Sequence, residues 1–132
     1  VWFGNLCGTF TTGTLVSFTR LKTARAAAGI CAVKPEDSLS GILILAFFCG
    51  MLMYIAVDGY KSKGNPVILF LGVSVFILAG FEHCIANMFY FTIGRAWSLQ
   101  TLGCLLVMSL GNAAGAFIIP LLYKVVRKEQ IS

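Results

Sequence analysis

The stretch ILAGFEHCIANMF, residues 77–89, decides how this chain is read. It sets Glu82 and His83 side by side, with Asn87 four positions after the histidine, inside an apolar segment where nothing else is charged. In a soluble protein such a trio would need no comment. In a bilayer a carboxylate near the centre costs about 2.5–3.5 kcal/mol on insertion scales, so it has to face a protein interior or a water-filled cavity. Which solvent applies is settled by the rest of the chain.

Of the 132 residues, 58% are hydrophobic and only 11% charged, and the mean hydropathy is +0.89, outside the range of soluble domains. The chain reads as an all-α membrane protein. Its net charge of +5 comes from basic residues lying between and after the apolar runs, which suits lipid headgroups or small anions and excludes a nucleic-acid partner. Five cysteines (Cys7, Cys31, Cys49, Cys84, Cys104) include no C-x-x-C pair and sit mostly in apolar stretches, so they read as small core residues, with no disulfide framework and no metal site. Val1 already lies in an apolar run, with no signal-peptide pattern and no initiator methionine, so a fragment of a longer chain is expected.

Four spans separate if about 20 apolar residues cross the hydrocarbon. The first, residues 1–19, is either a complete short helix or the end of a longer one. A polar connector, RLKTARAAAGICAVKPEDS (20–38), holds an alanine-rich stretch suited to a short interfacial helix, then a turn over 34–38. The second span, 39–57, is closed by DGYKSKGNP (58–66), a loop by its Gly, Asn and Pro content. The third, 66–94, is too long for one straight crossing and is expected to break near 80–87, beginning at Gly80. The fourth, 98–123, carries Pro120 too near its end to break it and leads into a basic tail, 124–132. Lys and Arg divide evenly between the two sides, so charge does not orient the chain.

GNLCG at 4–8 returns as GNAAG at 111–115, each a G-x-x-x-G that lets helix backbones approach, which makes Gly4, Gly8, Gly111 and Gly115 candidate packing residues. The two copies fall on spans one and four, which run in opposite directions, as an inverted-topology repeat requires. Chance recurrence in a chain with 14 glycines is the other reading.

On a helix, His83 and Asn87 would share a face and leave Glu82 turned away to secure neighbouring groups. A break at Gly80 would start a half-helix near His83, whose free N–H groups favour an anion. Histidine exchanges a proton near neutral pH, so the anion of a weak acid could pass an apolar constriction as the neutral molecule. The competing readings are a His–Glu pair that only fixes packing, and a membrane-anchored redox or assembly subunit using His83 as a haem or metal ligand, which an absorption spectrum would reveal.

GFEHCIANMF (80–89) resembles the signature of the formate/nitrite transporter family, whose common form has Ser at the position of Cys84, and the two GN-x-x-G elements resemble that family's third and sixth helices. The resemblance implies an aquaporin-like bundle of two inverted three-helix repeats, of which this chain covers helices three to six with a broken fifth. It implies a pentamer with a pore in each protomer, in the cytoplasmic (inner) membrane of a prokaryote, with the C-terminus cytoplasmic. It implies passage of small monovalent anions such as formate, nitrite or hydrosulfide with a proton, and neither enzymatic activity nor a cofactor. By the same resemblance His83, with Glu82 and Asn87, forms the pore and proton relay, Phe76 and Met53 narrow the pore, and Lys34 draws anions into a vestibule. Members often carry an asparagine on the fourth helix that reaches the pore histidine, whereas Gly50 stands there in this chain.

Overall fold

The apolar runs fold as helices wherever nothing in them supplies a strand-forming alternation. A computed structural model describes residues 1–129, and among these there is no strand. Six α-helices follow in order: α1 (Trp2–Ser17), α2 (Thr23–Val33), α3 (Leu39–Lys63), α4 (Pro66–Leu78), α5 (Cys84–Ile93) and α6 (Leu99–Glu129), with a 3-10 turn at Lys34–Glu36 between α2 and α3. Residues 130–132 of the expected tail lie outside the described residues.

Two helix ends differ from the sequence expectation. The stretch from Asp58, expected as loop, continues α3 to Lys63. Lys61 and Lys63 stand beside the last carbonyls, where positive charge is favoured, and Gly64 (φ +65°) closes the helix by donating to Tyr60 O at 2.7 Å. Only Gly64 and Asn65 then remain as a turn, because Asn65 caps α4 by accepting from the Val67 N–H at 3.0 Å, with Pro66 at its first position. Similarly, α6 runs through Pro120 and on to Glu129, so the start of the basic tail is helical.

By length and composition two of the helices, α3 and α6, can each cross a membrane alone. The third expected span is a pair of half-length helices, α4 and α5, of 13 and 10 residues. With 16 residues α1 reaches about 24 Å, short of a hydrocarbon core of about 30 Å.

Helices α3 and α6 run parallel, since contacts advance in the same order along both: Gly111 lies against Leu43 and Ala46, and Gly115 against Phe47 and Met51. A side chain at Gly115 would collide with the Phe47 carbonyl, which is why this face is glycine. Between them α4 returns beside α3, with Gly72 on Ala56 and Ile68 on Gly59, and α5 lies against α1, α2 and α6. Helix α1 packs Gly13 on Thr92 of α5, and its Trp2 Nε1–H donates to Ser109 Oγ of α6 at 3.0 Å, so α1 runs against α6. The core gathers where α5 meets α3 and α6: Ile42, Ala46, Met88, Phe91, Leu105 and Met108, with Cys31, Cys84 and Cys104 among them; Cys49 is also buried, whereas Cys7, expected in the core with the others, is exposed.

Candidate functional site

The break between α4 and α5 is a built joint. Helix α4 ends in a Schellman turn, with the Phe81 N–H donating to Phe76 O (3.0 Å) and the Gly80 N–H to Ile77 O (3.2 Å). This turn needs the left-handed φ of +71° at Gly80. Residues 81–83 then cross the gap outside any helix, and α5 starts at Cys84 with His83 as its N-cap, accepting the Ala86 N–H on Nδ1 at 3.2 Å.

Backbone groups freed by a break inside a membrane need partners. Asn112 supplies them. Its Oδ1 accepts from the Cys84 N–H at 2.9 Å, while its Nδ2 donates to Glu82 O at 2.7 Å and to Ala46 O of α3 at 2.8 Å. One side chain thus ties α6 to both the break and α3. Reading GNAAG as a packing motif gave roles to its glycines and none to the residue between them; an amide repeated inside both copies of the motif was the available signal. The place at Gly50 is explained by the same contact, because a Cβ there would strike the Asn112 backbone. The asparagine expected from the fourth helix is therefore excluded by packing, and the amide that reaches the break comes from α6. The expected free N–H groups are also partly spoken for, with Cys84 bound by Asn112 and Ala86 by His83.

Glu82 is 4% exposed and fully engaged. Lys34 Nζ lies 2.6 Å from both its carboxylate oxygens, and Asn87 Nδ2 donates to Oε2 at 2.7 Å. A second Asn87 bond, from Nδ2 to His83 O at 3.0 Å, closes the turn. Asn87 and His83 line the same cavity, and because residues 82 and 83 precede the helix the Asn87 amide also reaches the Glu82 carboxylate. Lys34, from the connector, joins the trio across 48 residues of sequence.

His83 sits where two cavities meet. One, of about 320 Å³, is lined by Lys34, Glu82, Asn87, Phe76 and His83. The other, of about 570 Å³, lies against α1, where Gly4, Asn5, Gly8, Thr9 and Thr12 face His83 and Ala86. Buried Phe76 stacks on the imidazole with ring centres 5.2 Å apart, so the apolar neighbour expected seven residues before the histidine is in contact with it. With Nδ1 accepting, the hydrogen of the neutral ring belongs on Nε2.

The remaining expected residues are distributed differently. Met53 is half-buried on α3 and lines neither cavity. Gly111 and Gly115 are in close packing with α3, while nothing stands within 4 Å of a Cβ at Gly4 or Gly8, which border the larger cavity. Among the described residues no three His, Cys, Asp or Glu side chains converge as a metal site.

A model of the formate/nitrite transporter family matches residues 1–126 of the chain. The chain belongs to the formate/nitrite transporter family. No solved structure matches it. For a formate/nitrite transporter, two long apolar helices and a fold without strands among the described residues fit a membrane protein, and membership points to transport of a small anion and away from enzymatic catalysis.

Proposed function

We propose that this chain forms part of a transmembrane pathway for small monovalent anions of weak acids, formate, nitrite or hydrosulfide among them, which cross with a proton. The observation that carries this reading is a partly buried cation (Lys34) with a buried carboxylate and amide (Glu82, Asn87), lining one cavity with the Phe76–His83 stack. Lys34 attracts the anion at the cavity, and Phe76 presents an apolar step that a bare ion crosses only at a cost of several kcal/mol, after relaxation. A neutral acid avoids most of that cost. His83 meets it with the Nε2–H as donor, and can take a second proton at Nδ1 only by releasing the Ala86 N–H, which couples protonation to the cap of α5. In the same reading α4 and α5 are the broken fifth helix of an aquaporin-like, inverted-repeat protomer, the larger cavity beside Gly4 and Gly8 continues the pore, and five protomers assemble in a prokaryotic cytoplasmic membrane with the C-terminus inside.

The test is flux into liposomes by the protein in its native oligomer. His83→Asn keeps a capping side chain without a group that titrates near neutrality, whereas His83→Phe also removes the cap, at about 1 kcal/mol. Both are expected to assemble and to lose the parent's pH response. Unchanged flux in both variants from about pH 5 to about pH 8, the range over which a histidine titrates, would sink the role given to His83.

A further inference from the structure

Helix α6 lies directly on the α3 backbone at two levels, Gly111 on Leu43 and Gly115 on Phe47. Past that level larger side chains face each other, and the two helix ends enclose a groove of about 990 Å³ lined by Tyr54 and Asp58 of α3 and by Pro120, Tyr123, Lys124 and Arg127 of α6. Lys128 joins them on the last turn, so three cations meet one acid. Among the described residues the one ion pair is Lys34–Glu82, which leaves Lys124, Arg127 and Lys128 without a carboxylate partner. Carried forward in the same register, Lys61 and Lys63 of α3 reach the level at which α6 ends and add to the positive field there.

On α6 itself the chemistry changes along one face. Phe117 and Leu121, 73% and 56% exposed, are followed at helical spacing by Lys124 and Lys128, so an apolar strip leads up to the basic end. Tyr54 and Tyr123 stand at the junction, where an aromatic ring with a polar tip suits the boundary between hydrocarbon and headgroups. A water-soluble anion has no use for the strip. Asp58, exposed at the groove, opposes a phosphomonoester more than the single charge of a phosphodiester. We infer that the groove between the ends of α3 and α6 binds an acidic phospholipid: its phosphodiester sits among Lys124, Arg127 and Lys128, and an acyl chain descends α6 over Leu121 and Phe117. The site is separate from the anion pathway, since no residue of this groove lines either cavity at His83.

The test is lipid retention by the protein in its native oligomer, purified in detergent and titrated with phosphatidylglycerol or with phosphatidylcholine of the same acyl chains, bound lipid being counted by native mass spectrometry. Phosphatidylglycerol is expected to bind roughly tenfold more tightly or better, and Lys124→Gln with Arg127→Gln to weaken it by about fivefold for each charge removed. Arg20→Gln, beyond the other end of the bundle, is expected to leave it unchanged. In the parent protein the preference is also expected to shrink as salt rises from about 0.05 M to about 0.5 M, and this arm decides alone if the double variant does not assemble. Equal retention of the two lipids overturns the inference, as does a preference that survives both the double substitution and the salt. Displacement of the lipid by glycerol 3-phosphate at equal concentration also overturns it, because the groove would then hold a free anion and have no need of the chain.

Discussion

Lys34 and Glu82 are each nearly enclosed, with side chains 11% and 5% exposed, so the consequence of losing one is set by what the other is left with. Lys34→Met strands a buried carboxylate, and the loss of stability is expected to reach about 3–5 kcal/mol. Replacing both, as Lys34→Met with Glu82→Gln, removes the charge and is expected to recover most of it. Thermal unfolding of the four proteins in detergent, taken as a double-mutant cycle, checks this; equal losses in the single and double variants would contradict it. At this scale the sequence was half legible. Glu82, His83 and Asn87 declare themselves as polar groups in an apolar run, and Phe76 follows from the family spacing. The partner of Glu82 does not, because a lysine in a connector carries no mark of the carboxylate it will meet, and the Asn87–Glu82 bond was hidden because it depends on residues 82 and 83 lying outside the helix.

Helix ends show what local chemistry can and cannot foretell. The break at Gly80 was legible because a positive-φ position followed by polar residues has few other uses in a span. The end of α3 was not, since lysines and a glycine read as loop while they also suit the last turn of a helix. At the end of α5 the glycine is displaced by one residue: Gly94 is packed against Cys31 and Ala27, so Arg95 takes the left-handed position, φ +53°, of a second Schellman turn. Arg95→Gly is therefore expected to stabilise the protein by about 0.5–1 kcal/mol, the left-handed strain removed less the chain entropy glycine adds, and to raise the unfolding temperature. Asn112→Ala works in the other direction. It leaves the Cys84 N–H and the Glu82 carbonyl unpaired at about 1–3 kcal/mol each, and a variant as stable as the parent would show that water or a backbone shift replaces the amide.

Across the whole molecule, the parallel course of α3 and α6 requires the segment between them to return along the bundle, an arrangement consistent with the count of apolar runs in the sequence. Which echo glycines are in contact was hidden, because GNLCG and GNAAG are alike as patterns and differ only in what stands opposite them: α3 for Gly111 and Gly115, the cavity for Gly4 and Gly8. The clamp made by Asn112 also constrains how the protein is made. Synthesis delivers Glu82 and Cys84 to the bilayer well before Asn112, which follows 28 residues after Cys84. Until α6 leaves the ribosome, the joint between α4 and α5 has an amide and a carbonyl with nothing from this chain to hold them. A chain truncated before Asn112 is therefore expected to leave the Cys84 amide and the Glu82 carbonyl unpaired at the joint between α4 and α5.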